Sequence, residues 1–114
     1  MMDFNAIRTL AARLPGTEES TSYGTPAIKV RKKLLLRLHQ KEDAIVLLLD
    51  TVDEQQALIA QDPMTFYITD HYDGYAAVLV RPTVPEEVLF ELMVRRWQQL
   101  ASKAQLAAFD AGSD

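Results

Sequence analysis

Residues Ala44-Ile45-Val46-Leu47-Leu48-Leu49 are apolar at odd and even positions alike. In an extended chain successive side chains point to opposite faces. Such a run is therefore a central strand covered on both faces, or one with a face left for a partner. The residues before it have a period of two. Ile28 and Val30 alternate with Lys29 and Arg31, and Leu34, Leu36 and Leu38 alternate with Leu35, Arg37 and His39. This is the pattern of strands with one face on a core and the other toward water. Arg31-Lys32-Lys33 falls between them as a hairpin turn, although it lacks the Gly or Asn of the tightest turns. Thr65–Thr69 and Ala76–Arg81 read as two further strands, joined by Asp70-His71-Tyr72-Asp73-Gly74-Tyr75. Glu18 to Pro26 is polar and reads as a loop or a short edge strand.

Helical spacing frames these strands. Asp3 stands where a carboxylate caps a helix, ahead of Phe4, Ile7, Leu10, Ala11 and Leu14, and Pro15-Gly16 ends the segment. Thr51-Val52-Asp53-Glu54 has the spacing of a capping box, predicting a short helix through Ala57, Leu58 and Ile59 that stops before Asp62-Pro63. Thr83-Val84-Pro85-Glu86 repeats that signal and opens the longest helix, with Leu89, Leu92, Met93, Trp97 and Leu100 toward the core and Arg95 and Arg96 toward solvent. After about Leu106 small residues and Gly112-Ser113-Asp114 suggest a fraying end. The order is helix, three strands, helix, two strands, helix, without repeat or linker. Short connections favour antiparallel neighbours, so the expected architecture is α+β, an antiparallel sheet packed against helices. A chain of 114 residues makes one domain over 1–114, with an ordered core of about 3–106.

Composition narrows the chemistry. There is no cysteine, which excludes thiol catalysis, thiolate metal sites and disulfides and fits a reducing cytoplasm, the expected location. No apolar run approaches the ~20 residues of a membrane span, and Met1–Leu14 is amphipathic rather than signal-like, so no membrane partner is expected. The net charge of −4 hides an asymmetry. Residues 1–41 hold eight cations against three carboxylates, residues 42–94 one cation against eleven, and the remainder three against two. Long-range repulsion makes a net acidic chain a poor general polyanion binder. The stretch Ile28–Lys41, however, carries six cations and no acid.

That strip is the strongest lead in the residues themselves. Lys29, Arg31, Lys32, Lys33 and Arg37 within one hairpin can track phosphates and displace counterions, with Tyr23, Tyr72 and Tyr75 available to stack on bases. Lysines at strand edges also serve simply to prevent sheet-to-sheet aggregation. His71, flanked by Asp70 and Tyr72 and near Asp73, has the makings of a general base oriented by a carboxylate, or of one metal ligand. The plainer account is that Asp70 and His71 hydrogen-bond to the loop backbone and hold its shape. Nothing couples His39 to His71, and no HExxH-like set supplies the three or four ligands of a zinc site. There is no GxSxG elbow, P-loop or GxGxxG fingerprint. Neither metal, cofactor nor catalysis is expected.

Several spaced motifs have a family likeness. Leu14-Pro15-Gly16-Thr17-Glu18-Glu19, Tyr23-Gly24-Thr25-Pro26-Ala27-Ile28-Lys29-Val30 with Lys33, Asp62-Pro63, Phe66, Thr69-Asp70-His71-Tyr72, Val78-Leu79-Val80 and Trp97 together resemble the MmcQ/YjbR-like family of small bacterial proteins. The likeness runs from about Phe4 to Leu106. It implies the same α+β element order and a DNA-binding role, one attached to the family by structural analogy. The sequence departs from the family pattern in three places. Ala76-Ala77 stand where a tryptophan precedes the Val-Leu-Val strand, Ile28 replaces a phenylalanine, and Ala101-Ser102-Lys103 lacks a proline.

The leading expectation is weak, non-catalytic binding of double-stranded DNA through Lys29, Arg31, Lys32, Lys33 and Arg37, with Tyr23, Tyr72 and His71 at the rim. The second is a protein-interaction or homodimerisation module using Ile45, Leu47 and Leu49, or Leu35. The third is a small-ligand site at the Asp70-His71-Tyr72 loop, which needs a concave pocket beside it.

Overall fold

The computed structural model describes residues 1–112. The chain runs α1 (Phe4–Ala11), β1 (Thr17–Ser22), β2 (Thr25–Val30), β3 (Lys33–Leu38), β4 (Ile45–Leu48), α2 (Val52–Gln61), β5 (Phe66–Tyr67), a 3-10 turn (Asp70–Tyr72), β6 (Ala77–Val80), α3 (Glu86–Leu100) and α4 (Lys103–Ala111). The six strands form one antiparallel sheet in the order β1-β2-β3-β4-β6-β5. The α+β architecture is as expected, with two additions. The polar Thr17–Ser22 segment is a full edge strand, and the chain beyond Leu106 continues in α4 rather than ending. Ser113 and Asp114, at the end expected to fray, lie outside the described residues.

Register sorts the residues onto two faces. On one, Glu19, Ile28, Leu36, Leu47 and Val78 stand in a row across the strands. On the other, Ser20, Ala27, Arg37, Val46, Leu79 and Tyr67 form the parallel row. The first face carries the main core. Ile28, Leu36, Leu47 and Val78 join Ile7, Leu10, Leu89, Met93 and Trp97 from the helices, and all are buried. A β-bulge sits between β2 and β3, where the partner of Ile28 is Leu36 but that of Lys29 is Leu34. The unpaired Leu35 turns into the same core, which accounts for three consecutive leucines in one strand.

The termini of the helices follow local chemistry. Asp3 accepts the Ala6 N–H at 2.8 Å, and Thr51 accepts that of Glu54 at 3.1 Å. Thr83 does not cap α3, contrary to the spacing argument. Val84 is drawn into the core, so the helix starts later, at Glu86, behind an extended Pro85. The reciprocal capping box belongs to α4, between Ser102 and Gln105. That helix lays Phe109 against Trp97, with ring centroids 5.0 Å apart, while the Trp97 indole N–H donates to the Pro15 carbonyl at 2.8 Å.

Both hairpin turns between β1, β2 and β3 are two residues long, and both have positive φ throughout. The first is Tyr23-Gly24 (φ 54° and 76°) and the second is Arg31-Lys32 (φ 51° and 68°). This is the type I′ geometry that matches strand twist. Gly24 adopts it freely, whereas Arg31 and Lys32 bear a left-handed backbone at a cost of about 1 kcal/mol each.

Candidate functional site

The second face of the sheet has no helix over it. Its cover is the segment after β5, whose 3-10 turn lowers Tyr72 onto Ala44, Val46, Ala77 and Leu79. Gln55, fully buried on α2, anchors that segment: its side-chain amide donates to the carbonyls of Tyr72, Tyr75 and Ala77 at 2.7–3.0 Å. Sequence reading passed over Gln55, yet it lies three residues before Leu58, on the buried stripe of its helix. The cover is partial. Between it, the Tyr23-Gly24 turn and the strands lies a cavity of about 860 Å³. Leu34, Val46, Leu48 and Ala77 form its apolar lining, and Arg37, His39, His71, Tyr75 and Arg96 bring polar groups to it.

Arg37 is its most unusual component. The alternation that places Leu36 in the main core turns Arg37 to the opposite face, where it is only 8% exposed. Nη2 donates to the Tyr72 hydroxyl at 3.0 Å and Nη1 to the Leu38 carbonyl at 3.2 Å. The exposed Tyr23 ring lies 4.9 Å from the guanidinium carbon. No carboxylate among the described residues pairs with it. A cation–π contact contributes about 0.5–2 kcal/mol, against a desolvation cost of several kcal/mol for a buried ion. The protein thus holds a cation whose charge it does not neutralise.

Neighbouring groups add hydrogen-bonding capacity rather than charge. His39 accepts the backbone N–H groups of Lys41 and Glu42 at Nδ1, at 3.0 and 2.9 Å, which leaves Nε2 as the protonated nitrogen of a neutral ring. Burial, and then the charge of Arg37, hold its pKa below the ordinary 6.5. His71 stacks on Tyr75 (centroids 5.9 Å apart, planes at 17°) and meets the edge of Tyr72 at 4.9 Å. Glu42, the one carboxylate lining the cavity among the described residues, is engaged by the Tyr67 hydroxyl at 2.9 Å. Its hydrogen bond, together with burial, pushes the Tyr67 phenol up. The donors therefore outnumber the free acceptors, a composition suited to an anion with an apolar body.

The structure divides the sequence-derived candidates. Tyr23, Arg37, His71 and Tyr72 converge on the cavity. Arg31, Lys32 and Lys33 are exposed at the opposite end of the hairpin, and the half-buried Lys29 lies across from Glu18. The five cations expected to form one strip are thus split, and Arg37 is closed off from a duplex surface. Asp70 is exposed and makes no side-chain hydrogen bond. The carboxylate-oriented His71 is not formed, nor are the side-chain bonds to loop backbone considered in its place. Ile45, Leu47, Leu49 and Leu35, expected to meet a partner, are all buried beneath the helices. Arg96, expected in solvent, is half-buried at the cavity wall. Among the described residues no three His, Asp or Glu side chains cluster to hold a metal ion, and no helix is long and apolar enough to cross a membrane.

A mixed α+β domain with an antiparallel sheet, helices on one face and a partly covered pocket on the other is the class these features define. The same fold occurs in the crystal structure of Deinococcus radiodurans protein DR2400, a DUF419 domain, with a TM-score of 0.73 and 19% identity over 96% of this chain and 89% of that one. The sequence pattern of the YjbR family matches residues 12–99, and the chain belongs to that family. Uncharacterised proteins of Mycobacterium tuberculosis and Mycobacterium bovis are 43% identical to it over 58 residues, half of this chain and 45% of theirs. The match thus spans less than half the length of those relatives.

Proposed function

We propose that the protein is a non-catalytic binding protein for a small organic anion, received in the cavity on the helix-free face of the sheet. The observation that carries this reading is Arg37: buried, without a carboxylate partner, and with only two of its N–H groups engaged. An anionic head on the remaining donors neutralises the charge in a low-dielectric setting, where such hydrogen bonds are strong. The apolar lining receives the body of the ligand, and Tyr23 and Tyr75 flank the mouth. Titration of benzoate, octanoate and phenyl phosphate, followed by calorimetry and by backbone amide shifts, tests this. Binding by at least one probe, with shifts at Arg37, His39, Tyr72 and Tyr75 and a loss of tenfold or more in Arg37→Gln, is the expected result. Shifts confined to Arg31–Lys33, or an unaltered affinity in the variant, overturn it.

Weak duplex binding is the second reading. It is favoured by the Arg31-Lys32 turn, which displays cations to solvent without an ion-pair partner among the described residues. If Lys29, Arg31, Lys32 and Lys33 each meet a phosphate, log affinity falls with log salt at a slope of about −4, and neutralising them flattens it. No anisotropy change at low salt removes this reading.

A further inference from the structure

Arg96 is the second guanidinium at the cavity, and like Arg37 it has no ion-pair partner among the described residues. Nη1 donates to Gln99 Oε1 at 3.2 Å, while Nε is buried without a hydrogen-bond partner in the protein. Burial lowers its pKa from the ordinary value, opposed by the charges of Asp50 and Glu54. Neither acid bonds to it. The Glu54 oxygens are engaged by the Asp50 N–H at 3.2 Å and by Arg95 at 3.8 Å, and Asp50 is exposed.

The two arginines approach from different directions. Arg37 stands on β3 beside Val46 of β4, whereas Arg96 comes from α3 and lies in the field of Asp50, beyond the far end of β4. Along an extended strand Val46 and Asp50 are roughly 13 Å apart; Val46 lines the cavity, and Asp50 lies outside its lining. Leu34, Leu48 and Ala77 line the same space.

Resting on the anion-binding reading above, we infer that the ligand is an elongated dianion, with one anionic group held by Arg37, the other by Arg96, and an apolar segment between them. A single anionic head pairs with Arg37 and leaves the charge of Arg96 without a counter-ion. Two heads satisfy both, and the apolar lining favours a hydrocarbon linker over a polar one.

Calorimetric titration of glutarate, adipate and suberate against pentanoate, hexanoate and octanoate tests this. We expect one dicarboxylate to bind at least tenfold more tightly than the monocarboxylate of equal length. Arg96→Gln brings that dicarboxylate down to the level of its monocarboxylate and leaves the latter unchanged. Arg37→Gln weakens both series. Arg96→Lys, which keeps the charge, retains part of the preference, and thermal unfolding of each variant separates loss of the site from loss of the fold. Equal binding of the two series by the native protein, or equal weakening of both by Arg96→Gln, overturns the dianion while leaving the anion pocket standing. Failure of all six probes to bind overturns the dianion inference and removes these carboxylates from the ligands of the pocket, whose own test remains the Arg37→Gln comparison with benzoate and phenyl phosphate.

Discussion

The two faces of the sheet are built from the same strands and obey different rules. The core under the helices is apolar, and the Trp97 indole N–H within it meets the Pro15 carbonyl. The helix-free face carries Arg37 in the middle strand, and Arg96 reaches the same cavity without an ion pair. Elsewhere Arg8 of α1 meets Glu19, Arg95 of α3 meets Glu91 and Glu54, and Arg13, just past α1, lies over the Phe90 ring at 4.0 Å. Unpaired cations also stand exposed on the Arg31-Lys32 turn, but the buried, unpaired Arg37 lies on the concave face. Replacing a buried cation with apolar groups of similar volume is often neutral or stabilising, so stability does not account for Arg37.

The largest effect belongs to the covered face. Trp97→Ala removes a fully buried indole, its contact with Phe109 and its hydrogen bond to Pro15, and should cost about 3–5 kcal/mol in urea unfolding. A loss under 1 kcal/mol breaks the claim that this face carries the stability. Gly16→Ala probes the same side more gently. A Cβ there meets the Gln105 amide, and the backbone has φ of 78°. We expect a loss of about 1–3 kcal/mol, with Gln105→Ala relieving the steric part and leaving the backbone part.

On the helix-free face the sign reverses. Arg37→Met keeps most of the volume and removes the buried charge, so stability should be unchanged or rise by up to about 2 kcal/mol while anion binding is lost. A strong destabilisation makes Arg37 a structural residue and erases the contrast between the faces.

That contrast was half legible in the sequence. The period of two in Ile28–Leu38 and the doubly apolar Ala44–Leu49 define the strands, and alternation puts Arg37 opposite Leu36, as the register has it. What alternation cannot tell is whether that opposite face meets water. Here it is closed by Tyr72, thirty-five residues along the chain, held down by Gln55 from another helix. Arg96 did leave a signal. It stands four residues after Leu92 and seven after Leu89, both buried, so helical spacing alone places it on the buried stripe. Its charge argued for solvent and prevailed wrongly. Edge strand β1 left a weaker one: Glu18–Pro26 reads as a loop or a short edge strand, since Thr17–Ser22 has no apolar face to alternate.

The hairpin turn far from the cavity gives a smaller test. Replacing Arg31-Lys32 by Asn-Gly suits the type I′ backbone and should raise stability by about 1 kcal/mol without altering anion affinity. The same variant removes two exposed cations, so any weakened duplex binding belongs to the turn and not to the pocket.

The smallest effect is a pH dependence at the cavity. The folded His39 ring is neutral because Nδ1 accepts two backbone N–H groups and because burial and Arg37 oppose a charge there. Its folded pKa lies below 6.5, the ordinary value. Between those two values the unfolded chain binds the proton more readily, so the contribution of His39 to stability is complete above pH 6.5 and falls as the pH drops toward the folded pKa. His39→Gln removes the titrating group and should flatten the unfolding midpoint between pH 7 and 5 relative to the native protein. His71→Gln, which removes a smaller influence on His39 than burial or Arg37, should change that slope less. Equal flattening by both variants would assign the effect to the cavity as a whole and dissolve the distinction between its half-buried and exposed histidines.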